Sequence, residues 1–137
     1  AETNKSSAEY VGGGWMWPAP GYHRITSNFG WRAWSNSYHK GIDIGAPKGA
    51  IIVASNAGKV VVSSYDANGY GNYLIVDHGG GYMTVYAHLS KKSVSIGQSV
   101  SQGTTLGLCG STGRSNGPHL HFEIRVNGTA KNPVNYL

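Results

Sequence analysis

The sequence lacks paired cysteines, long apolar segments and any abundance of acidic side chains, and each absence excludes a class of protein. Its 137 residues include one cysteine, Cys109, so a fold held by internal disulfides is excluded. No apolar run is long enough to cross a bilayer, and no basic stretch followed by an apolar one opens the chain. We therefore expect no membrane insertion in this segment. Only four acidic residues follow residue 10, which disfavours catalysis by a pair of carboxylates.

Positive charge is in modest excess, since eleven Lys and Arg residues and six acidic residues give a net charge of +5. Such a balance is typical of proteins with acidic partners, such as nucleic acid, anionic lipid or a bacterial wall polymer. The basic residues are scattered, however, and only Lys91 and Lys92 are adjacent. The sequence therefore predicts no nucleic-acid-binding patch.

Glycine is abundant, with 21 residues, and short runs of valine, isoleucine and tyrosine lie between the glycines. No long stretch repeats its apolar residues with the 3.6-residue period of a helix. This combination predicts an all-β domain with many turns and little or no helix. We place its start near Trp15, so that residues 1–14 form a linker or flexible tail and residues 15–137 form the domain. Cys109, in an apolar run flanked by glycine, is interpreted as a small buried hydrophobe.

The most informative stretch is 117–126, in which residues 119–126 alternate polar and apolar side chains. This period predicts a strand with one buried face. The buried face would carry Leu120, Phe122, Ile124 and Val126. The opposite face would carry His119, His121, Glu123 and Arg125. Two histidines two residues apart could divide their roles, one binding a metal and the other reaching a water bound to it, although two surface histidines would follow the same pattern.

Two other segments bring further histidines. His39 and Asp43 are four residues apart, and Gly41 and the β-branched Ile42 between them favour an extended segment that places both on one face. Residues 82–88 also alternate, which predicts that His88 shares a face with Tyr86. Histidine and aspartate at three protein positions, with a fourth position open, describe a catalytic zinc site rather than a closed structural one.

The residues at these positions closely resemble peptidase family M23, the lysostaphin- and LytM-type zinc endopeptidases. The resemblance rests on His39-x-x-x-Asp43, on Tyr86-Ala87-His88-Leu89 and on the stretch 117–123, and it covers about residues 15–137. It implies a mainly antiparallel sheet with an open groove, in which peptides of bacterial peptidoglycan are cut. It also implies that His39, Asp43 and His121 bind Zn²⁺ and that His88 and His119 are the catalytic histidines.

Several other side chains are assigned with alternatives left open. Glu123 is a rival general base or, more simply, a supporting or surface residue. Tyr38 and Tyr86 either contact substrate or pack around the site, and the aromatic rings that could wall a groove or pack at its rim are Trp31, Trp34 and Tyr70. His78 is expected to be structural at a hairpin turn, and His23 to be exposed.

Three functions from different classes compete. The first is a zinc endopeptidase of the cell envelope or extracellular space, a monomeric domain of a longer protein that acts on peptidoglycan peptides. The second is a non-catalytic wall-binding or amidase-activating module, which predicts an incomplete set of metal ligands. The third is a carrier domain of the lipoyl or biotinyl type, suggested by the glycine spacing in 97–107, which leaves the histidines unexplained.

Overall fold

The computed structural model describes residues 14–137, and this part of the chain forms strands and a single 3₁₀ turn, Pro133–Asn135. The strands are β1 (Ile25–Ser27), β2 (Gly30–Arg32), β3 (Ser37–His39), β4 (Ile42–Gly45), β5 (Ile51–Val53), β6 (Gly58–Asp66), β7 (Gly71–Gly79), β8 (Tyr82–Lys92), β9 (Ser99–Val100), β10 (Thr105–Cys109), β11 (His119–Val126) and β12 (Thr129–Lys131). The all-β prediction is confirmed. Within residues 14–137, no helix is long and apolar enough to cross a membrane.

Ten of these strands form one sheet, with β1, β4, β11, β8, β7, β6 and β9 in that spatial order. Strand β10 extends it by pairing with both β5 and β8, and β12 pairs with β11. All of these pairs are antiparallel, as the resemblance implied. Strands β2 and β3 form a separate two-stranded ribbon. The strands on either side of His121 in β11 are β4 and β8, and each of these three strands carries a histidine or an aspartate of interest.

One face of β11 enters the core as its alternation predicts. Leu120, Phe122 and Ile124 have no exposed surface, while Val126 is half-buried near the strand end. The Phe122 ring lies 5.4 Å from that of Tyr86 on the neighbouring strand β8. Burial of each such side chain stabilises the fold by roughly 1.5–3 kcal/mol. Cys109 is also fully buried, so its assignment as a small core hydrophobe is confirmed.

The opposite face of β11 is less exposed than its polar residues suggest. His121 and Glu123 are both buried, and Glu123 has no exposed surface at all. Glu123 is therefore not a surface residue. Tyr70, from the turn between β6 and β7, contacts its carboxylate and covers it. The alternation of polar and apolar residues identified the two faces correctly but not what lies over the polar one.

Strand β8 departs from the predicted alternation at His88. Asn72 pairs with Leu89 and Leu74 pairs with Tyr86, so β8 contains one residue more than β7 across this interval. His88 takes the extra position with a φ of 65°, the left-handed region that non-glycine residues rarely adopt. Such a bulge rotates the following side chain relative to the pleat. The prediction that His88 and Tyr86 share a face is thus wrong, because Tyr86 is buried in the core while His88 faces His119.

The predicted tail, residues 1–14, lies outside the described residues except for Gly14. Trp15 is buried with its ring 4.8 Å from that of His78, near the β7–β8 hairpin. His78 is a buried structural residue, as expected, and donates from Nδ1 to the carbonyl of Ala57 at 2.7 Å. His23 is exposed, as expected.

Candidate metal centre and catalytic groove

Three side chains from three strands converge on one point. His39 ends β3, Asp43 lies in β4, and His121 lies directly opposite Asp43 in the β4–β11 register. Asp43 Oδ1 is 2.9 Å from His121 Nδ1 and 3.2 Å from His39 Nε2. The two histidine nitrogens are themselves 3.2 Å apart. One ligand atom from each residue lies within 4.8 Å of the others, a grouping that could hold a metal ion.

The second nitrogen of each of these histidines is occupied by another partner. His39 Nδ1 lies 2.9 Å from the carbonyl oxygen of Asn28, to which it can only donate, so in the neutral form of the ring the lone pair is on Nε2. His121 Nε2 lies 2.8 Å from Glu123 Oε2. His39 therefore faces Asp43 with Nε2, whereas His121 faces it with Nδ1. Partners of this kind fix the orientation of histidines that bind metals.

Two further histidines stand beside the cluster. The rings of His88 and His119 lie 4.7 Å apart, and His119 Nε2 is 3.7 Å from Asp43 Oδ1. His88 Nδ1 donates to the carbonyl of Thr112 at 2.8 Å, and His119 Nδ1 donates to that of Gly117 at 2.9 Å. Both rings consequently keep Nε2 free to accept a proton. The structure thus brings together all five residues that the sequence singled out.

Burial and hydrogen bonding set the charges in the cluster. Burial alone would raise the pKa of Asp43, but hydrogen bonds from His121 and His39 hold it well below its usual range. Burial would likewise lower the pKa of His121, but its bonds to Asp43 and Glu123 prevail and raise it to about 8. Burial lowers the pKa of His88 despite its bond to Thr112. A lowered pKa favours the neutral imidazole, which is the form of His88 that can accept a proton.

The cluster lies in a groove of about 860 Å³ that opens to solvent. Trp34 and Tyr70 line it, as do Arg32 and Arg114. Trp34 is 79% exposed, with the Arg32 guanidinium 5.1 Å from its ring centre. An exposed aromatic ring beside one arginine, in a groove that a second arginine also lines, offers a surface for an extended polar ligand such as a peptide.

The other aromatic side chains considered as groove residues, Trp31, Tyr38 and Tyr86, do not line the groove. Trp31 is exposed but is not among the residues that line the groove. Tyr38 is also exposed and packs edge-on against Phe29, 5.4 Å away. Tyr86 is a core residue without access to the site.

The model of peptidase family M23 matches residues 37–133, which span the cluster of His39, Asp43 and His121 and both neighbouring histidines. The chain belongs to peptidase family M23. This M23 domain is 43% identical over 117 residues, 82% of its length, to the peptidoglycan DD-endopeptidase ShyC of Vibrio cholerae. It is 42% identical over 90% of its length to the murein hydrolase activator NlpD of Salmonella dublin.

The fold itself is shared with solved structures. The M23 domain matches the crystal structure of a zinc containing peptidase from Vibrio cholerae with a TM-score of 0.81 and 34% identity, over 91% of this chain and 40% of that one. The chain spans only 27% of the length of ShyC and 31% of that of NlpD. Its similarity therefore concerns one domain of longer proteins.

The sequence did not predict the hydrogen bonds that support His121 on the side away from Asp43. Tyr70 donates a short hydrogen bond to Glu123 Oε2, and Arg125 Nε donates to Glu123 Oε1 at 2.8 Å. The spacing of Glu123 and Arg125 from His121 placed both on the same face of β11, which was an available signal. Tyr70 is 51 residues away from His121 in the chain, and no local pattern connects the two.

Proposed function

We propose that this M23 domain is a zinc-dependent endopeptidase that hydrolyses peptide bonds in bacterial peptidoglycan. His39, Asp43 and His121 would hold the metal, and His88 and His119 would be the catalytic histidines. The observation that carries the proposal is the convergence of all five side chains at the floor of one groove. A binding or activating module would not require this complete set.

The donor set fits zinc. Two imidazole nitrogens and one carboxylate oxygen are ligands that Zn²⁺ takes in catalytic sites, where three protein ligands leave one position open. The cluster borders the groove, so an open position would face substrate. Zinc, when bound, is a Lewis acid that polarises a carbonyl group and acidifies water. The ionised state of Asp43, held by its two histidine partners, is the state that a cation requires.

The two neighbouring histidines are suited to moving protons. Because the Nδ1 atoms of His88 and His119 both donate to backbone carbonyls, their Nε2 atoms are acceptors directed away from those carbonyls. One of them can take a proton from the water that attacks the scissile carbonyl. The imidazolium that results can donate it to the departing amine, so the two events need no further acid or base.

The substrate class follows from the groove and the relatives. Arg32 and Arg114 give the groove positive charge, which suits peptides that carry free carboxylates. The similarity to a protein named as a peptidoglycan DD-endopeptidase supports the same class. We infer that the domain acts in the cell envelope or outside the cell, as a monomeric part of a longer protein.

The test is mass spectrometry of peptidoglycan fragments after incubation with the zinc-loaded protein. Walls with glycine bridges and walls with direct cross-links are both supplied, so that new peptide ends identify the bond. Chelator treatment and Asp43→Ala should abolish cleavage together with metal binding. His119→Ala should abolish cleavage but retain zinc, and His23→Ala, which changes an exposed histidine outside the groove, should resemble the wild type.

A failure to cleave any wall would indicate that the domain is not a peptidase. Intact fragments from every wall, despite stoichiometric zinc in the wild type, would overturn the peptidase proposal. The similarity to NlpD, which is named a murein hydrolase activator, then makes activation of a separate hydrolase the next function to measure.

A further inference from the structure

Glu123 is a carboxylate with no exposed surface, placed directly behind the metal-ligand cluster. A buried carboxylate is costly unless its oxygens are hydrogen-bonded and its charge is balanced. Both conditions are met here. Arg125 Nε donates to Oε1 at 2.8 Å, while Tyr70 Oη and His121 Nε2 both contact Oε2, the latter at 2.8 Å.

The hydrogen-bond directions in this group follow from the chemistry of its members. Arg125 has donors only, so its Nη2, 3.0 Å from the phenol oxygen of Tyr70, must donate to that oxygen. The phenol hydrogen is then directed to Glu123. An ionised Glu123 has acceptors only, and it follows that His121 Nε2 must be the donor to Oε2. The chain of bonds from Arg125 to His121 runs in one direction.

This direction determines which nitrogen of His121 carries the hydrogen. With Nε2–H engaged by Glu123, Nδ1 is the atom that faces Asp43 and His39. The Tyr70 ring also stacks on the His121 ring, with centres 5.6 Å apart and planes at 29°, so the imidazole plane is held as well. Without Glu123, the neutral ring could place its hydrogen on Nδ1 and donate it to Asp43, and the metal-facing lone pair would be lost.

We propose that Glu123, supported by Tyr70 and Arg125, is a positioning residue that holds His121 in the Nε2–H tautomer with Nδ1 available for a metal ion. The proposal deepens the proposed function and rests on its assignment of His121 as a metal ligand. It assigns Glu123 no contact with substrate, because Tyr70 and His121 separate its carboxylate from the groove.

The test compares Glu123→Gln and Tyr70→Phe with the wild type and with Thr84→Val. Thr84 is a matched control because it is as fully buried as Glu123 and lies in the neighbouring strand β8, outside the cluster. Its hydroxyl is also hydrogen-bonded, at 2.7 Å from His78 Nε2 and 2.6 Å from the Tyr86 hydroxyl. Zinc affinity is measured by competition with a chromophoric chelator. The tautomer of His121 is read from its imidazole ¹⁵N shifts, in metal-free protein at alkaline pH and in zinc-loaded protein at neutral pH.

We expect Glu123→Gln to weaken zinc binding about 10- to 100-fold, the usual effect of removing an outer partner of a metal-binding histidine. The glutamine amide can donate to Nε2, so the Nδ1–H tautomer should become visible in the metal-free spectrum. Tyr70→Phe removes one bond to Oε2 and should weaken binding less, by about 3- to 10-fold. Thr84→Val should lower stability while leaving zinc affinity within about twofold of the wild type.

Wild-type zinc affinity and unchanged His121 shifts in Glu123→Gln would overturn the proposal. If that variant does not fold, unchanged affinity and shifts in Tyr70→Phe overturn it, since its phenol is only partly buried and its loss is milder. The outcome is separable from that of the proposed function. A wild type that binds zinc more tightly than Glu123→Gln but cleaves no wall supports the positioning role and rejects the peptidase.

Discussion

Gly41 lies between His39 and Asp43 and has no room for a side chain. A Cβ atom at this position would lie 2.2 Å from the carbonyl oxygen of Phe122 and 2.9 Å from Glu123 Cγ, both in strand β11. Side-chain Cβ atoms do not approach other atoms closer than 3.0 Å, so Gly41→Ala must push the chain away from β11 by at least about 0.8 Å. The neighbour that must move is backbone, which cannot rotate aside.

The size of the effect follows from the geometry. An N–H···O distance of about 2.9 Å that lengthens by 0.8 Å is no longer a hydrogen bond. Loss of one or two such bonds beside β11 costs about 1 kcal/mol each, and overpacking adds about 1–3 kcal/mol. We expect Gly41→Ala to lower the free energy of unfolding by about 2–5 kcal/mol. Zinc affinity should fall at least about tenfold, since His39 and Asp43 move relative to His121.

Urea unfolding followed by tryptophan fluorescence measures the first effect, and chelator competition measures the second. For a urea dependence of about 2 kcal/mol per molar, the midpoint should fall by about 1–2.5 M. Gly117→Ala is the control for stability, because a Cβ there meets nothing within 4 Å. Its unfolding free energy should be unchanged or higher by up to about 1 kcal/mol. A Gly41→Ala protein within about 0.5 kcal/mol of the wild type, with wild-type zinc affinity, would refute the reasoning.

Two further predictions concern buried groups away from the groove. Burial lowers the pKa of His78 to about 4 against the opposing bond to Ala57, so the folded protein binds its proton less readily than the unfolded chain does. Stability from this group is present above pH 6.5 and falls as the pH drops towards 4, by up to about 3 kcal/mol. The stability difference between wild type and His78→Gln should therefore shrink by about that amount between pH 7 and pH 4 in urea titrations, whereas parallel curves would contradict the assignment. Burial also raises the pKa of the Cys109 thiol to about 11. A thiol reagent at neutral pH should label it at least about a thousandfold more slowly than in urea-unfolded chain, as mass spectrometry would show, and rapid labelling of the folded protein would mean that its site is open.

Much of the site could be predicted because its residues are close in sequence. The alternation in 119–126 identified the core side chains Leu120, Phe122 and Ile124, since side chains of a strand point alternately to opposite faces. The same rule placed His119 and His121 together. His39 and Asp43 also come together, but the prediction of one extended segment between them is wrong, because the chain bends at Gly41 and the two residues belong to different strands, β3 and β4. The resemblance to a known family then added roles that spacing alone left open.

The turn of His88 into the groove could not be predicted from alternation. It depends on one extra residue in β8 relative to β7, and pairing between strands exists only once both have formed. A regular strand would have directed His88 with Tyr86 into the core. The positive φ at His88 is tolerated because its amide donates to the Tyr70 carbonyl at 2.7 Å and its ring to that of Thr112.

The amino-acid sequence alone was sufficient for the fold class, the family and the five side chains of the site, because each depends on composition, local period or a short motif. The burial of Glu123, its link through Tyr70 to Arg125, and the orientation of every imidazole were decided by the tertiary structure. These features depend on contacts between residues far apart in the chain, such as the 53 positions that separate Tyr70 from Glu123. Whether a polar side chain is exposed or enclosed depends on what packs over it, and no local pattern encodes that.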